Sequence, residues 1–272
     1  MESGDSKMKF SKMQGIGNDY IYVNCFEEVV NDPVRAAIIL SDRHFGIGSD
    51  GLVLIQPCHE ADFEMRMFNA DGSESEMCGN ATRCIGKYVY DRGLTKKKEI
   101  TLKTGAGIKR LLIHAENGIT ESVRVDMGTP DILGVGECLE AGGKKYTITR
   151  VSTGNPHAVI FVDNADEYDV HGIGQMIEHH PMFPNRTNVE FATVINREEI
   201  RMRVWERGSG ETLACGTGAC ATLAAAAVNH LTEKKANLKL NGGNLRIEWI
   251  EGIIYQEGPA AFVFDGETSE NY

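Results

Sequence analysis

Residues 211–217 read ETLACGT and residues 74–80 read ESEMCGN, so one short pattern occurs twice in this chain of 272 residues. Each copy has an acid, a hydroxyl residue and then Cys-Gly, and Cys78 and Cys215 lie 137 positions apart. Two further pairs share this offset: Gly17-Asn18 with Gly154-Asn155, and Gly105 with Gly242. Three anchors at one spacing indicate an internal duplication.

Each Cys-Gly pair stands where a helix is predicted to begin. The run NATRCIGKYVYDRG predicts a helix from Asn80 that stops at Gly93, and the alanine-rich run TGACATLAAAAVNHL predicts another from Thr217. Weaker helical patterns cover DPVRAAIIL at 32–40 and GIGQMIEHH at 172–180. The two duplicated cysteines are therefore expected at helix N-termini.

Most of the remaining chain consists of short β-like runs separated by glycine and polar turns. Examples are YIYVN, LVLI, FEMRMF, KRLLIH, SVRVDM, YTITRV, AVIFV, IRMRVW, LRIEWI and AFVF. Runs of this length and spacing are typical of antiparallel sheets or barrels. With the duplication, they predict an α+β fold of two similar domains. We place the first at 1–120 with a returning segment at 262–272, and the second at 121–261. Residues 1–7 are polar and predicted to be disordered.

Composition limits the class of protein. The formal charge of −11 argues against a nucleic-acid or acidic-membrane partner, and no apolar run is long enough to cross a bilayer. Seven cysteines is an odd number, which favours reduced thiols over a disulfide framework in a chain with 42% hydrophobic residues. We therefore predict a cytoplasmic protein that acts on a small molecule, with no nucleic-acid or membrane partner.

Two thiols at equivalent positions suggest one type of reaction. If the two halves face each other across a pseudo-twofold axis, Cys78 and Cys215 approach a shared point. A helix N-terminus lowers the pKa of a nearby thiol and binds a carboxylate. Inverting a stereocentre beside a carboxylate needs a thiolate on one face and a thiol on the other. Backbone donors would stabilise the developing charge without a metal or other cofactor, and the candidates are Gly79, Asn80, Gly216 and Thr217.

Several longer runs resemble the diaminopimelate epimerase family. They are GIGNDY at 15–20, RHFGIGSDG at 43–51, FNADGSESEMCGNATRC at 68–84, GNPHAV at 154–159, PNRTNVEF at 184–191 and WERGSGETLACGTGACA at 205–221. The resemblance extends from about Met8 to the C-terminus. It implies two domains related by a pseudo-twofold, each an antiparallel, barrel-like sheet wrapped around a central helix, and a homodimer. It also implies cofactor-independent interconversion of LL- and meso-2,6-diaminopimelate, in lysine and peptidoglycan biosynthesis.

The resemblance assigns roles to individual residues. Cys78 and Cys215 correspond to the paired acid and base, and Gly79-Asn80 and Gly216-Thr217 to the turns that bind the reacting carboxylate. His157 and Glu206 match positions that tune the pKa values of the thiols. The expected substrate-binding side chains are Asn18, Asn69, Asn155, Asn188, Glu206 and Arg207. An arginine among amides suits a ligand with a second carboxylate, because a guanidinium grips a carboxylate with two parallel bonds.

One position departs from the family pattern. Many relatives carry Gln where this chain has Gly51, so a side-chain amide is missing there. Any contact to substrate at this position has to come from the backbone or be absent.

Other interpretations of the same residues remain open. A racemase of the same fold acting on another amino acid would use the same two thiols, and a redox or sensor protein would join Cys78 and Cys215 in a reversible disulfide. A metal-binding module is disfavoured because neither motif is C-x-x-C, and His179-His180 has no partner at ligand spacing. We therefore predict no metal site. The asparagines also fit simple turn residues.

Overall fold

The computed structural model describes residues 7–269 and 272 of the chain. It divides into two compact units, which we call the N-terminal unit (Met1–Val125 with Pro259–Tyr272) and the C-terminal unit (Asp126–Gly258). The chain thus returns to the N-terminal unit for its last segment. The disorder predicted for residues 1–7 falls, except at Lys7, outside the described residues.

The N-terminal unit contains two helices and a set of short strands. In chain order its elements are β1 (Lys9–Gly15), β2 (Asn18–Asn24), α1 (Pro33–Ser41), β3 (Gly51–Gln56), β4 (Phe63–Asn69), β5 (Glu74–Ser75), α2 (Gly79–Asp91), β6 (Glu99–Thr104), β7 (Gly107–Glu116) and β8 (Ile119–Gly128). The next strand, β9 (Asp131–Ala141), belongs to the C-terminal unit.

The C-terminal unit repeats this order. After β9 come β10 (Lys144–Ser152), β11 (Pro156–Phe161), α3 (Val170–Glu178), β12 (Asn188–Asn196), β13 (Glu199–Glu206), β14 (Gly210–Glu211), α4 (Gly216–Val228), β15 (Lys235–Lys239), β16 (Asn244–Ile250) and β17 (Ile253–Gly258). The final strand, β18 (Ala261–Glu267), lies in the N-terminal unit.

Strand pairing is the same in both units. The N-terminal unit has the order β18-β1-β2-β3-β4-β6-β7-β8, and the C-terminal unit has β9-β10-β11-β12-β13-β15-β16-β17. The short strands β5 and β14 pair with β4 and β13. The predicted α+β class and the predicted duplication are therefore confirmed element by element, whereas the pseudo-twofold relation stays a prediction.

Each sheet combines antiparallel and parallel pairs. The parallel pairs are β2–β3 and β4–β6 in the N-terminal unit and β11–β12 and β13–β15 in the C-terminal unit. Each of these pairs is connected through one of the four helices. A helical crossover returns the chain in its original direction, so the next strand joins in parallel, whereas hairpins give antiparallel neighbours.

The helices α2 and α4 form the centre of their units. Every residue from Gly79 to Val89 of α2 is buried, and α4 is buried from Gly218 to Ala226. A helix buried on all sides needs neighbours around its whole circumference. α4 contacts every long strand of its unit, from β9 to β17, which confirms the predicted sheet wrapped around a central helix. Within the described ranges, no helix combines the length and apolar character required to cross a membrane.

Candidate active site

Cys78 lies at the start of α2, in the position that caps the helix. Its backbone is extended (φ −136°, ψ 123°), and the side chain is half-buried. The thiol donates to Asn18 Oδ1 at 3.3 Å, and Asn80 Nδ2 donates to the same oxygen at 3.3 Å. The β1–β2 hairpin and the helix start thus bring three predicted residues, Asn18, Cys78 and Asn80, into direct contact.

Two polar residues extend this N-terminal cysteine site. Asn18 Nδ2 donates to Asp50 Oδ2 at 2.7 Å, and the fully buried Arg83 donates from Nη2 to Asn80 Oδ1 at 2.7 Å. These bonds leave both amides with defined orientations. Asn69, another predicted site residue, instead donates to Ser73 Oγ at 3.0 Å in the turn after β4, so its contacts hold that turn.

Cys215 occupies the equivalent capping position of α4 and is buried (5% exposed). Its sulfur accepts from Gly218 N–H at 3.3 Å and lies 3.4 Å from Thr217 Oγ1. The Glu206 carboxylate lies close enough to Cys215 to influence its ionisation, and Thr212 Oγ1 donates to Glu206 Oε1. The helix start thus places a backbone N–H and a hydroxyl beside this sulfur, and the end of β13 places a carboxylate near it.

The ionisation of Cys215 differs from the expectation drawn from helix position alone. We expected the helix N-terminus to lower the thiol pKa, but burial and the nearby carboxylates of Glu206 and Glu190 raise the pKa of Cys215 well above its usual value. The donors Thr217 and Gly218 lower it by less. The free-energy cost of taking a thiolate out of water and placing it beside two carboxylates is larger than the stabilisation that two hydrogen bonds provide. Cys215 is therefore a protonated thiol at neutral pH.

His157 and Asn155 connect Cys215 to the interior of the C-terminal unit. His157 Nε2 lies 2.9 Å from Asn155 Oδ1, and Asn155 Nδ2 donates to Thr217 Oγ1 at 3.3 Å. On its other side, His157 Nδ1 lies 2.6 Å from Oε1 of Glu190, and both side chains are fully buried. Burial raises the pKa of Glu206, and His157 partly offsets this increase.

Asn188 links two more predicted residues. Its Nδ2 donates to the Pro156 carbonyl at 2.9 Å, and its Oδ1 accepts from the Arg207 N–H at 2.9 Å. The Arg207 guanidinium reaches the Asn185 carbonyl at 3.2 Å from an exposed position. Asn188 thus positions the backbone of Arg207 beside the strand that carries His157, and the guanidinium stays accessible to a ligand.

The first turns of α2 and α4 present backbone donors. The first helical bonds run from Thr82 N to Cys78 O at 2.9 Å and from Ala219 N to Cys215 O at 3.0 Å. The N–H groups of Gly79, Asn80, Gly216 and Thr217 therefore precede the helical ladder, as donors at a helix N-terminus do.

Gly51, the position at which the sequence comparison predicts a missing amide, is buried at the start of β3. A Cβ atom at Gly51 would overlap the Phe68 carbonyl oxygen and lie 2.8 Å from Tyr20 Cε1. Backbone oxygen atoms cannot rotate away as a side chain can. The local backbone of this chain thus depends on glycine, and it offers no side-chain amide at this position.

Sequence reasoning missed several residues of the two sites. They are Asp50, Arg83, Glu190 and Thr212. The signal for Glu190 was present, because an acid in the apolar run NVEF is unusual in a buried strand. Arg83 could have been found in the same way, because a charged residue is also unusual in a predicted core helix.

All seven cysteines belong to the described residues, and none of them is in a disulfide. Cys84 and Cys220 are fully buried inside α2 and α4, as expected for core residues. In the part of the chain that the structure describes, no group of three His, Cys, Asp or Glu side chains is arranged to hold a metal ion.

Comparison with known proteins identifies relatives along almost the whole chain. The family model for diaminopimelate epimerase matches residues 10–133 and 149–263. A diaminopimelate epimerase of Acetivibrio thermocellus is 55% identical over 278 residues, covering 97% of this chain and 99% of the relative. A diaminopimelate epimerase of Phocaeicola vulgatus is 54% identical, covering 96% of this chain and 98% of the relative.

The fold is shared more widely. The crystal structure of a PhzF-family phenazine biosynthesis protein from Bacillus anthracis aligns with a TM-score of 0.75, covering 97% of this chain and 99% of that one. The two sequences are only 18% identical, so this similarity concerns the fold.

Proposed function

We propose that this protein is an isomerase that interconverts LL- and meso-2,6-diaminopimelate. The premise is that the chain belongs to the diaminopimelate epimerase family. The observation that carries the proposal is the pair of thiols at the starts of two topologically equivalent buried helices. A reaction that moves a proton from one face of a carbon to the other requires two groups of the same kind.

The reaction takes place at one α-carbon of the substrate. One thiolate removes the Cα proton and becomes a thiol, and the electron pair is delocalised into the adjacent carboxylate. The other thiol gives its proton to the opposite face and becomes a thiolate. Protons and charge balance over one turnover, and the two sulfurs exchange ionisation states. The scheme uses no cofactor.

Cys215 is the proton donor when the reaction starts from the resting enzyme. Burial and the nearby Glu206 carboxylate raise the pKa of Cys215 and keep this thiol protonated. Once the proton has left, the sulfur keeps two donors, Thr217 Oγ1 and Gly218 N–H. Cys78 gives up the proton that it donates to Asn18 and acts, as the thiolate, as the base in this direction, and the roles reverse for the opposite direction.

The substrate is held by groups that suit a diamino dicarboxylic acid. The N–H groups at the two helix starts bind the reacting carboxylate and stabilise its developing charge. The exposed Arg207 guanidinium, positioned through Asn188, suits the distal carboxylate. The Glu206 carboxylate suits an ammonium group, and Asn18, Asn69 and Asn155 remain the other predicted substrate-binding residues.

Assembly and location belong to the same proposal. The family resemblance supports a homodimer, for which light scattering should give twice the chain mass of 29.9 kDa. Seven cysteines without a disulfide support a reducing compartment, the cytoplasm. The reaction would supply meso-diaminopimelate for lysine and peptidoglycan biosynthesis. A monomeric mass at micromolar concentration would contradict the dimer.

Deuterium incorporation tests the proposed function. Purified protein incubated with LL-diaminopimelate in D₂O, without added cofactor, should place deuterium at the α-carbon and produce the meso isomer, as followed by NMR and chiral chromatography. Proline and histidine serve as comparison substrates under the same conditions. Faster exchange with either one would favour a racemase of another amino acid. No exchange with any of the three would contradict the proposal and favour a redox role.

A further inference from the structure

Glu190 is a fully buried acid whose position was not anticipated as part of the site. It lies near the start of β12, and the parallel pairing with β11 places it opposite Val159, two positions from His157. Its Oε1 lies 2.6 Å from His157 Nδ1, whereas its buried Oε2 has no hydrogen-bond partner among the described residues. A buried carboxylate is costly unless a charged partner balances it. His157 is that partner.

Each ring nitrogen of His157 has one hydrogen-bond partner. Nδ1 faces the Glu190 carboxylate, which accepts, and Nε2 faces Asn155 Oδ1 at 2.9 Å, which can only accept. The structure places Oδ1 of Asn155 toward Nε2, where it also accepts from Thr153 Oγ1, and places Nδ2 toward Thr217 Oγ1. Both ring nitrogens of His157 therefore face acceptors, which is the arrangement that suits a doubly protonated imidazole beside a carboxylate.

A path of hydrogen bonds leads from His157 through Asn155 and Thr217 to the sulfur of Cys215. Nε2–H of His157 donates to Asn155, Nδ2 of Asn155 donates to Thr217 Oγ1 at 3.3 Å, and Oγ1 lies 3.4 Å from Cys215 Sγ. Because the Thr217 oxygen accepts from Asn155 Nδ2, its hydroxyl proton can be donated to Cys215 Sγ. This order supplies an O–H to the sulfur at the moment when a thiolate forms there.

Gly218 allows the acid and the sulfur to approach the same point. A Cβ atom built on Gly218 would lie 2.7 Å from Glu190 Oε1 and 3.2 Å from Cys215 Sγ. The absence of a side chain thus leaves room for the carboxylate behind the first turn of α4.

The described residues of the N-terminal unit do not repeat the His157–Glu190 pair. At the repeat offset of 137, Val53 stands in the place of Glu190 and Tyr20 in the place of His157, with the same strand register between β2 and β3. The ionisable pair therefore serves the C-terminal unit alone.

We infer that Glu190 is a positioning residue for the epimerisation. It holds His157 doubly protonated and, through Asn155, orients the Thr217 hydroxyl, which stabilises the Cys215 thiolate during turnover. This inference rests on the proposed function. Among the described residues, the ionisable groups that interact with His157 are Glu190 from β12 and Glu206 from β13, and Cys215 lies beyond Asn155 and Thr217. The β10 residue paired with it is the apolar Val151.

The first measurement uses the unmodified protein and needs no activity. Protein labelled with ¹⁵N-histidine should show both ring nitrogens of His157 protonated at pH 7, with His157→Gln identifying its signals among the eight histidines. In Glu190→Gln, which keeps the side-chain size but not the charge, one ring nitrogen of His157 should lose its proton. Glu178→Gln is the matched control, because it neutralises another buried acid of the same unit, bonded to Trp205 Nε1 at 2.7 Å. It should leave the His157 signals unchanged.

The second measurement is kinetic. Glu190→Gln should lower kcat by about ten-fold or more and change KM by less than about two-fold, because the lost interaction matters only when the thiolate forms. An unprotonated nitrogen on His157 in the wild type, or wild-type kcat in Glu190→Gln, would overturn the inference. If the variant does not fold, the wild-type spectrum still decides. Absence of substrate exchange by the wild type would instead refute the proposed function and leave the His157–Glu190 result unaffected.

Discussion

Cys78→Ala and Cys215→Ala should each lower kcat by about 10³-fold or more, because either change removes the group that handles the proton on one face of the substrate carbon. General acid–base groups contribute about 10² to 10⁴ in rate, and inversion needs both of them in every turnover. Initial rates with LL-diaminopimelate and with the meso isomer measure the effect in both directions. The loss should be similar in each direction, since each sulfur serves as acid in one and as base in the other.

The matched control for these variants lies in the same helices. Cys84 and Cys220 are fully buried within α2 and α4, a short distance beyond the two catalytic candidates. Cys84→Ala and Cys220→Ala should cost about 1 kcal/mol in the free energy of unfolding and leave kcat within a few-fold of wild type. Near-normal turnover by Cys78→Ala or Cys215→Ala would refute the two-base assignment.

Oxidation should abolish activity reversibly. If both sulfurs serve one carbon, an azo oxidant such as diamide should join Cys78 and Cys215 in a disulfide. The two thiols lose two protons and two electrons, and the oxidant is reduced to the hydrazine. Activity should fall close to zero, and dithiothreitol should restore it. Mass spectrometry of peptides prepared without reductant identifies the bond.

A variant that lacks the other accessible thiols isolates this effect. Cys25, Cys58 and Cys138 lie outside the two motifs and retain some exposure. Replacing all three by alanine should leave both the inactivation and the rescue intact. Full activity of a preparation in which the Cys78–Cys215 bond is mapped would contradict the proposal, and so would persistent activity under oxidant with no such bond formed.

The helices and most strands could be predicted from local patterns. All four predicted helices are present, and α3 begins two residues before its predicted pattern. Several strands were not predicted, among them β9, β12 and β17. In β9 the run DILGVGECLEA is half glycine and acid, and it forms a strand because β10 supplies its partners. Tertiary pairing overrides local propensity in such segments.

The parallel strand pairs were also not predicted. Local alternation of apolar residues is compatible with either direction of pairing, and only the crossovers through α1, α2, α3 and α4 decide it. This matters for the site, because the parallel register of β11 and β12 brings Glu190 to His157 from a distant part of the chain.

The sequence by itself determined the duplication, the two central helices and the presence of one cysteine at the start of each, because all three are written as repeated local patterns. It also determined the family. The tertiary structure alone decided the environment of each sulfur: Asn18 beside Cys78, and Glu206, Thr217 and a buried histidine–glutamate pair around Cys215. The ionisation of a thiol depends on the burial and charges contributed by distant segments, and these become neighbours only when the sheet closes around its helix.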